Sequence, residues 1–309
     1  MPARDDRYRI WAVRLNRREM LRLTVFGGAG LAGVLAFGCG GEEEEKKGTP
    51  TALLATAAPS GFFDSDGVKI HYETFGAGKP LILVHGITSN LQYNWVYAGW
   101  TEALKATRLV VALDNRGHGQ SEKPHEREAY AGDTMSQDVL RLMDYLGIEK
   151  ADLFGYSMGA FNSLELLAHH RDRFDSVILG GIGNGFTFDS PETIQAISDG
   201  FAAEDPSRIS DPWGKGFREA ADAVPGNDLK ALAACVYHLG EPIDYDDLAS
   251  VDIPVLIVDG ANDILARTPP ELEALVPGSK LVTIPDTDHT SVVIDQRFKE
   301  AVLAFLEDQ

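Results

Sequence analysis

The sequence predicts an α/β protein: a mostly parallel central sheet flanked by helices, with a mainly helical cap inserted late in the chain. Three observations carry this. Short, continuous apolar runs recur at 81–84, 109–113, 177–179 and 253–258, and continuous rather than alternating apolarity marks strands buried on both faces. Helical stretches lie between them, the spacing of βαβ units. Regular alternation then lapses between about 183 and 250 and resumes afterwards.

Composition allows one large globular core. Of 309 residues, 44% are hydrophobic, and the formal net charge is -19. A protein this acidic, with no basic stripe beyond its first two dozen residues, repels polyanions, so nucleic acid is excluded as a partner.

The basic residues gather at the start. Residues 1–23 carry Arg4, Arg7, Arg9, Arg14, Arg17, Arg18 and Arg22 against Asp5, Asp6 and Glu19, and an uncharged, Gly-rich apolar stretch follows to Cys39. This is the layout of an export signal, and the stretch is short for a membrane span. Arg17-Arg18 ahead of that stretch resembles a twin-arginine export signal, and Leu35-Ala36-Phe37-Gly38-Cys39-Gly40 resembles a bacterial lipobox. The resemblance implies a lipid on Cys39 and a protein exported and held at the bacterial membrane, otherwise secreted or periplasmic. Residues 40–61, with Glu42 to Glu45, Lys46, Lys47 and then Thr, Ala, Pro and Ser, read as a flexible tether. With Cys39 lipidated, Cys235 has no disulfide partner and reads as a small buried apolar residue.

The globular part opens with a hairpin signal, Asp66-Gly67 between extended stretches. The 81–84 strand runs into His85-Gly86-Ile87, a crossover helix is expected over 92–106, and the next strand leads to a loop at 114–121. A helix is expected over 134–146, with Thr134 and Gln137 spaced as a capping box and Gly147 as its stop. Domain boundaries follow: export signal 1–39, tether 40–61, core 62–182 and 251–309, cap 183–250. The cap aromatics Phe186, Phe188, Trp213 and Phe217 suit a substrate pocket or the cap's own core equally well.

The chemistry centres on Gly155-Tyr156-Ser157-Met158-Gly159, between a strand and a helix. A sharp strand-to-helix turn lifts the Ser157 hydroxyl out of the sheet and sets the Met158 N–H at a helix N-terminus, where orphan amides favour negative charge. A serine nucleophile needs a base, and the base an acid to orient it. In proteins with this elbow the acid and then the histidine follow the serine along the chain. Of the histidines after Ser157, His169 and His170 sit in the elbow's own helix and His238 in the insertion, which leaves His289. Asp263 is the favoured acid, with Asp259 in reserve or serving loop amides. Asp286 and Asp288 are turn formers, His85 a loop-stabilising residue, and His118 a solvent-facing one.

Taken together, His85-Gly86, Asp114-x-Arg116-Gly117-x-Gly119-x-Ser121, the elbow, Gly260-x-x-Asp263 and His289 occur in one order. From about residue 62 to 309 the chain resembles the α/β-hydrolase-fold family of esterases, lipases and carbon–carbon bond hydrolases. The resemblance implies Ser157 as nucleophile, His289 as general base, Asp263 as orienting acid, and the Ile87 and Met158 N–H groups as oxyanion hole. It implies no metal or organic cofactor, and Ser157 disfavours members with an aspartate nucleophile. The expected activity is hydrolysis of small carboxylic esters through an acyl-enzyme. A carbon–carbon bond hydrolase or cofactor-free haloperoxidase with the same triad, and a non-catalytic binding protein, are the alternatives. The expected partner is a small-molecule substrate, with membrane contact only through the lipid.

Overall fold

The computed structural model describes residues 59–241 and 246–309; the export segment, Cys39 and nearly all of the tether lie outside the described residues. Strands β1 (Ser60–Ser65) and β2 (Val68–Gly76) form the expected hairpin. Asp66 and Gly67 both take positive φ, 56° and 82°, the turn an Asp-Gly pair favours because its twist matches the strands. The remaining strands are β3 (Lys79–Val84), β4 (Arg108–Leu113), β5 (Ala151–Tyr156), β6 (Phe174–Gly180), β7 (Val255–Gly260) and β8 (Lys280–Ile284). They form one eight-stranded sheet in the order β1-β2-β4-β3-β5-β6-β7-β8, antiparallel at β1, β2 and β4 and parallel from β4 onward.

Each face of the sheet feeds its own apolar layer. Ile82, Val84 and Leu153 point into one, against helices α2 (Thr134–Tyr145) and α3 (Met158–His169), while Leu81, Leu83 and Phe154 point into the other. Consecutive side chains thus enter opposite cores, which is why these strands read as unbroken apolar runs.

Two local expectations need correction. The 92–106 stretch is not one helix: a π-helical turn, Gln92–Val96, is followed by Gly99 at φ 78° and then α1 (Trp100–Leu104). The break lets Trp95 and Trp100, both fully buried, each meet Phe154 at 4.9 Å between ring centroids. The capping box does not form either. The N-cap position of helix α2 falls on Asp133, which makes no side-chain capping bond, while Thr134 Oγ1 donates to Ala131 O and Gln137 Nε2 donates to the Asp133 carboxylate. Gly147 takes φ 68° just past the helix, as expected of a stop.

Between β6 and β7 lie α4 (Pro191–Ala202), α5 (Pro212–Ala223) and α6 (Leu229–Cys235). Each begins on an oxygen cap, from Ser190, Asp211 and Asp228 respectively, so polar punctuation rather than strand pairing organises this region. The C-terminal part adds α7 (Pro269–Leu275) and α8 (Gln296–Glu307), the latter burying Phe298 and Val302 against the sheet.

Candidate active site

Residues following β3, β5, β7 and β8 converge at the carboxyl edge of the sheet, around the point where strand order departs in both directions from β3. Crevices form there because neighbouring strand-end loops turn away to opposite sides. Ser157 follows β5 directly and holds φ 54°, ψ -118°, a conformation a side chain adopts only when its surroundings impose it. The two elbow glycines allow the turn. A Cβ on Gly159 would lie 2.0 Å from the Val84 carbonyl oxygen, and one on Gly155 2.2 Å from the Gly159 carbonyl oxygen. No side chain fits either position.

The three residues singled out for catalysis meet. Ser157 Oγ–H donates to His289 Nε2 at 2.9 Å, and His289 Nδ1–H donates to Asp263 Oδ2 at 2.6 Å. The other Asp263 oxygen accepts from the Leu265 and Ala266 amides at 2.8 and 3.2 Å. Burial pushes the Asp263 carboxyl up, but His289 and these amides outweigh it and hold the group below its usual range, as a carboxylate. Such a chain fixes the imidazole tautomer and turns the Nε2 lone pair toward the hydroxyl proton.

Asp259, the reserve acid, ends up behind this line rather than in it. It is buried at the end of β7, and burial together with the charge of Asp263 drives its carboxyl well above the usual range, so it stays protonated beside a carboxylate. The favoured and reserve residues therefore divide into an ionised acid on the imidazole and a neutral one next to it.

The Ile87 and Met158 amides flank the serine, from the loop after β3 and from the first turn of α3. Among the described residues neither donates to a protein acceptor. The loop that carries Ile87 is pinned from several sides. His85 Nδ1–H donates to Gly86 O, His85 Nε2 accepts from the Asn115 amide, and Asn115 Nδ2 donates to His85 O, each within 2.9 Å. Burial holds His85 neutral. This supports its loop-stabilising reading. In the 114–121 loop, Asp114 accepts from His71 Nδ1 and the Leu91 and Gln120 amides, while Arg116 grips Asp138 through two nitrogens at 2.6 and 2.7 Å.

His118 is not solvent-facing. It is fully buried, its ring 5.2 Å from that of His85, with Nδ1–H donating to Arg116 O and the pKa pushed down to about 3 by burial. The tight turn at Gly117 and Gly119, both at positive φ, folds the loop back so that this ring packs inward.

Reading the sequence missed two residues. Tyr156 donates its buried hydroxyl to the His289 carbonyl, bracing the loop that carries the imidazole; its position inside the elbow was the only signal. Asn94, on the π-helical turn, accepts from the Gly86 amide at 3.2 Å and so steadies the Ile87 loop. Turns of this type recur at functional sites, but sequence periodicity does not reveal them. Asp286, at φ 60°, and Asp288, which accepts from the Thr290 and Ser291 amides, shape the turn as expected.

A cleft of about 360 Å³ opens over Ser157 and His289. Phe188, Phe217 and Val224 of the inserted region line it together with Ile87, Tyr97 and Ile294. The four cap aromatics thus split: Phe188 and Phe217 line the cleft, while Phe186 stacks on Phe188 and Phe161 and Trp213 packs on Phe188 from outside. Cys235 is buried and free, its Sγ 3.8 Å from Met158 Sδ.

Residues 79–208 match the family described as alpha/beta hydrolase fold. The chain is 30% identical over 248 residues to a dihydrolipoyllysine-residue acetyltransferase component of an acetoin cleaving system from Pseudomonas putida, an alignment covering 74% of this chain and 64% of that protein, less than two thirds of its length. It is 28% identical over 257 residues to a putative non-heme chloroperoxidase from Synechocystis sp., covering 73% and 90%. Among solved structures, the enol-lactonase from Burkholderia xenovorans LB400 superposes with a TM-score of 0.68 at 23% identity, covering 80% of this chain and all of that one, a likeness of fold alone. The architecture is thus the alpha/beta hydrolase fold, shared with these solved structures and matched by the family model over residues 79–208.

Proposed function

We propose that this protein is a serine hydrolase that cleaves small carboxylic esters through an acyl-enzyme intermediate. The observation that carries the reading is the unbroken hydrogen-bonded line from Ser157 through His289 to Asp263, opening on an apolar cleft. Ser157 Oγ attacks the ester carbonyl carbon as its proton passes to His289 Nε2, and the Ile87 and Met158 amides receive the charge that develops on the carbonyl oxygen. The tetrahedral adduct collapses, the imidazolium returns its proton to the departing alkoxide, and the alcohol leaves. Water then attacks the acyl-serine by the same route, giving the acid and restoring Ser157. Asp263 orients the imidazole and stays a carboxylate throughout.

The test is turnover of p-nitrophenyl butyrate by the wild type and by Ser157→Ala, with a panel of vinylogous 1,5-diketones and a halide-plus-peroxide assay alongside. Ester turnover that depends on Ser157 supports the reading. Preference for the diketones or for halide oxidation would move the assignment to the rival chemistries that use the same triad. We also read residues 1–39 as an export signal with lipid on Cys39, 40–61 as a tether, and 183–250 as a cap over a core of 62–182 and 251–309. Loss of membrane association in Cys39→Ser is the expected outcome for the anchor.

A further inference from the structure

We infer that the site selects an uncharged ester whose apolar arm runs from Ser157 along the cleft to a mouth formed by Tyr97 and Ile294, and that it rejects esters carrying a carboxylate. This rests on the hydrolase reading and names its substrate class.

Among the described residues no Lys, Arg, Asp or Glu lines the cleft. Its polar lining includes the hydroxyls of Thr88, Ser89 and Thr290 and the amide of Asn94. Arg267, two residues beyond the lining Leu265, and Lys299, which reaches the lining Ala98, are both engaged elsewhere. Arg267 Nη1 pairs with Asp189 at 2.7 Å and Nη2 donates to Asn184 O, while Lys299 Nζ donates to Ala98 O. A carboxylate drawn into this space would lose its water and meet no counter-charge, a large penalty. The ionised Asp263 behind His289 and the net charge of -19 add repulsion.

The mouth points the same way. Single exposed apolar residues are ordinary on a protein surface. Tyr97 and Ile294, however, are 53% and 47% exposed and both line the same opening. Phe188 and Phe217, 2% and 1% exposed, line the same cleft, so its apolar lining runs from buried residues to exposed ones. A chain longer than the interior holds would keep covering apolar area as it emerged.

Two ester comparisons test this. The first sets p-nitrophenyl pentanoate against mono-p-nitrophenyl glutarate, which match in carbon count and differ in a terminal methyl against a carboxylate. Wild-type kcat/KM is expected to favour the pentanoate by at least about a hundredfold, and to do so still in about 0.5 M salt, where long-range repulsion is screened. Ile294→Lys, which puts a cation at the rim, is expected to narrow that ratio. The second follows the p-nitrophenyl series from acetate to octanoate. The double variant Tyr97→Ser, Ile294→Ser is expected to lower the octanoate-to-acetate ratio of kcat/KM about tenfold through lost apolar contact. Equal turnover of pentanoate and glutarate, or an unchanged length preference in the double variant, would overturn the inference while leaving the ester reading standing. If the wild type turns over none of these esters, both fall.

Discussion

The two walls of the cleft are built on different physics. On the sheet side, side chains are set by hydrogen bonds from fixed backbone: His85 is held from both ring nitrogens, Asp263 takes two amides and an imidazole, and Tyr156 braces the His289 carbonyl. On the cap side, position comes from ring packing, with Phe217 5.0 Å from Phe188 and 6.2 Å from Phe201. Hydrogen bonds are directional and lock geometry to fractions of an ångström; packed rings fill space and tolerate repacking. The sheet side is therefore suited to chemistry and the cap side to choosing what enters.

If that division holds, damage to the two walls should differ in kind. The largest effect is expected at Ser157: Ser157→Ala should lower kcat for p-nitrophenyl butyrate by about 10⁴-fold or more, with little change in Tm. Asp263→Asn should lower kcat by about 10³- to 10⁴-fold, because the amide cannot hold the same imidazole tautomer. The protonated Asp259 beside it gives this variant a second readout. A further drop in Asp259→Asn, Asp263→Asn would show that the neighbouring carboxyl had partly taken over.

Across the cleft, Phe201→Ala removes a fully buried ring and should cost about 3–5 kcal/mol of stability, measured by denaturant unfolding, while kcat stays within about an order of magnitude. A loss of kcat as large as that of Asp263→Asn, in folded protein, would erase the distinction between the walls.

The smallest effect concerns pH. The folded protein holds His118 neutral, with a pKa pushed down to about 3, whereas an unfolded chain takes up that proton near its ordinary value of about 6.5. The unfolded state thus binds more protons between these limits, so stability is present above about 6.5 and is lost as pH falls toward 3. Denaturant midpoints should drop from pH 7 to 5, and His118→Asn should flatten that slope by up to about 1.4 kcal/mol per pH unit.

The same division explains what could be read without coordinates. Strands buried on both faces announce themselves as unbroken apolar runs, and the order of Ser157, Asp263 and His289 along the chain follows from a topology that puts each at a strand end. Asp263 and Asp259 are harder to tell apart in sequence, since both lie near the end of β7, and the difference is a loop that carries Asp263 far enough round to reach the imidazole. His118 departs from the rule that loop residues are wet, because the inward fold of its glycine turn hides the ring. Thr134 and Gln137 had the spacing of a capping box, yet Asp133 took the cap position one residue earlier. The roles of Tyr156 and Asn94 depend on a bond to a backbone atom distant in sequence, which no local pattern encodes.

Intact-protein mass spectrometry after brief exposure to a fluorophosphonate probe reads out whether His289 activates Ser157 for covalent attack. One adduct is expected on the wild type, mapped to Ser157, absent in Ser157→Ala and slowed by orders of magnitude in His289→Ala. No adduct on the wild type, or labelling of Ser157 at an undiminished rate in His289→Ala, would contradict that activation.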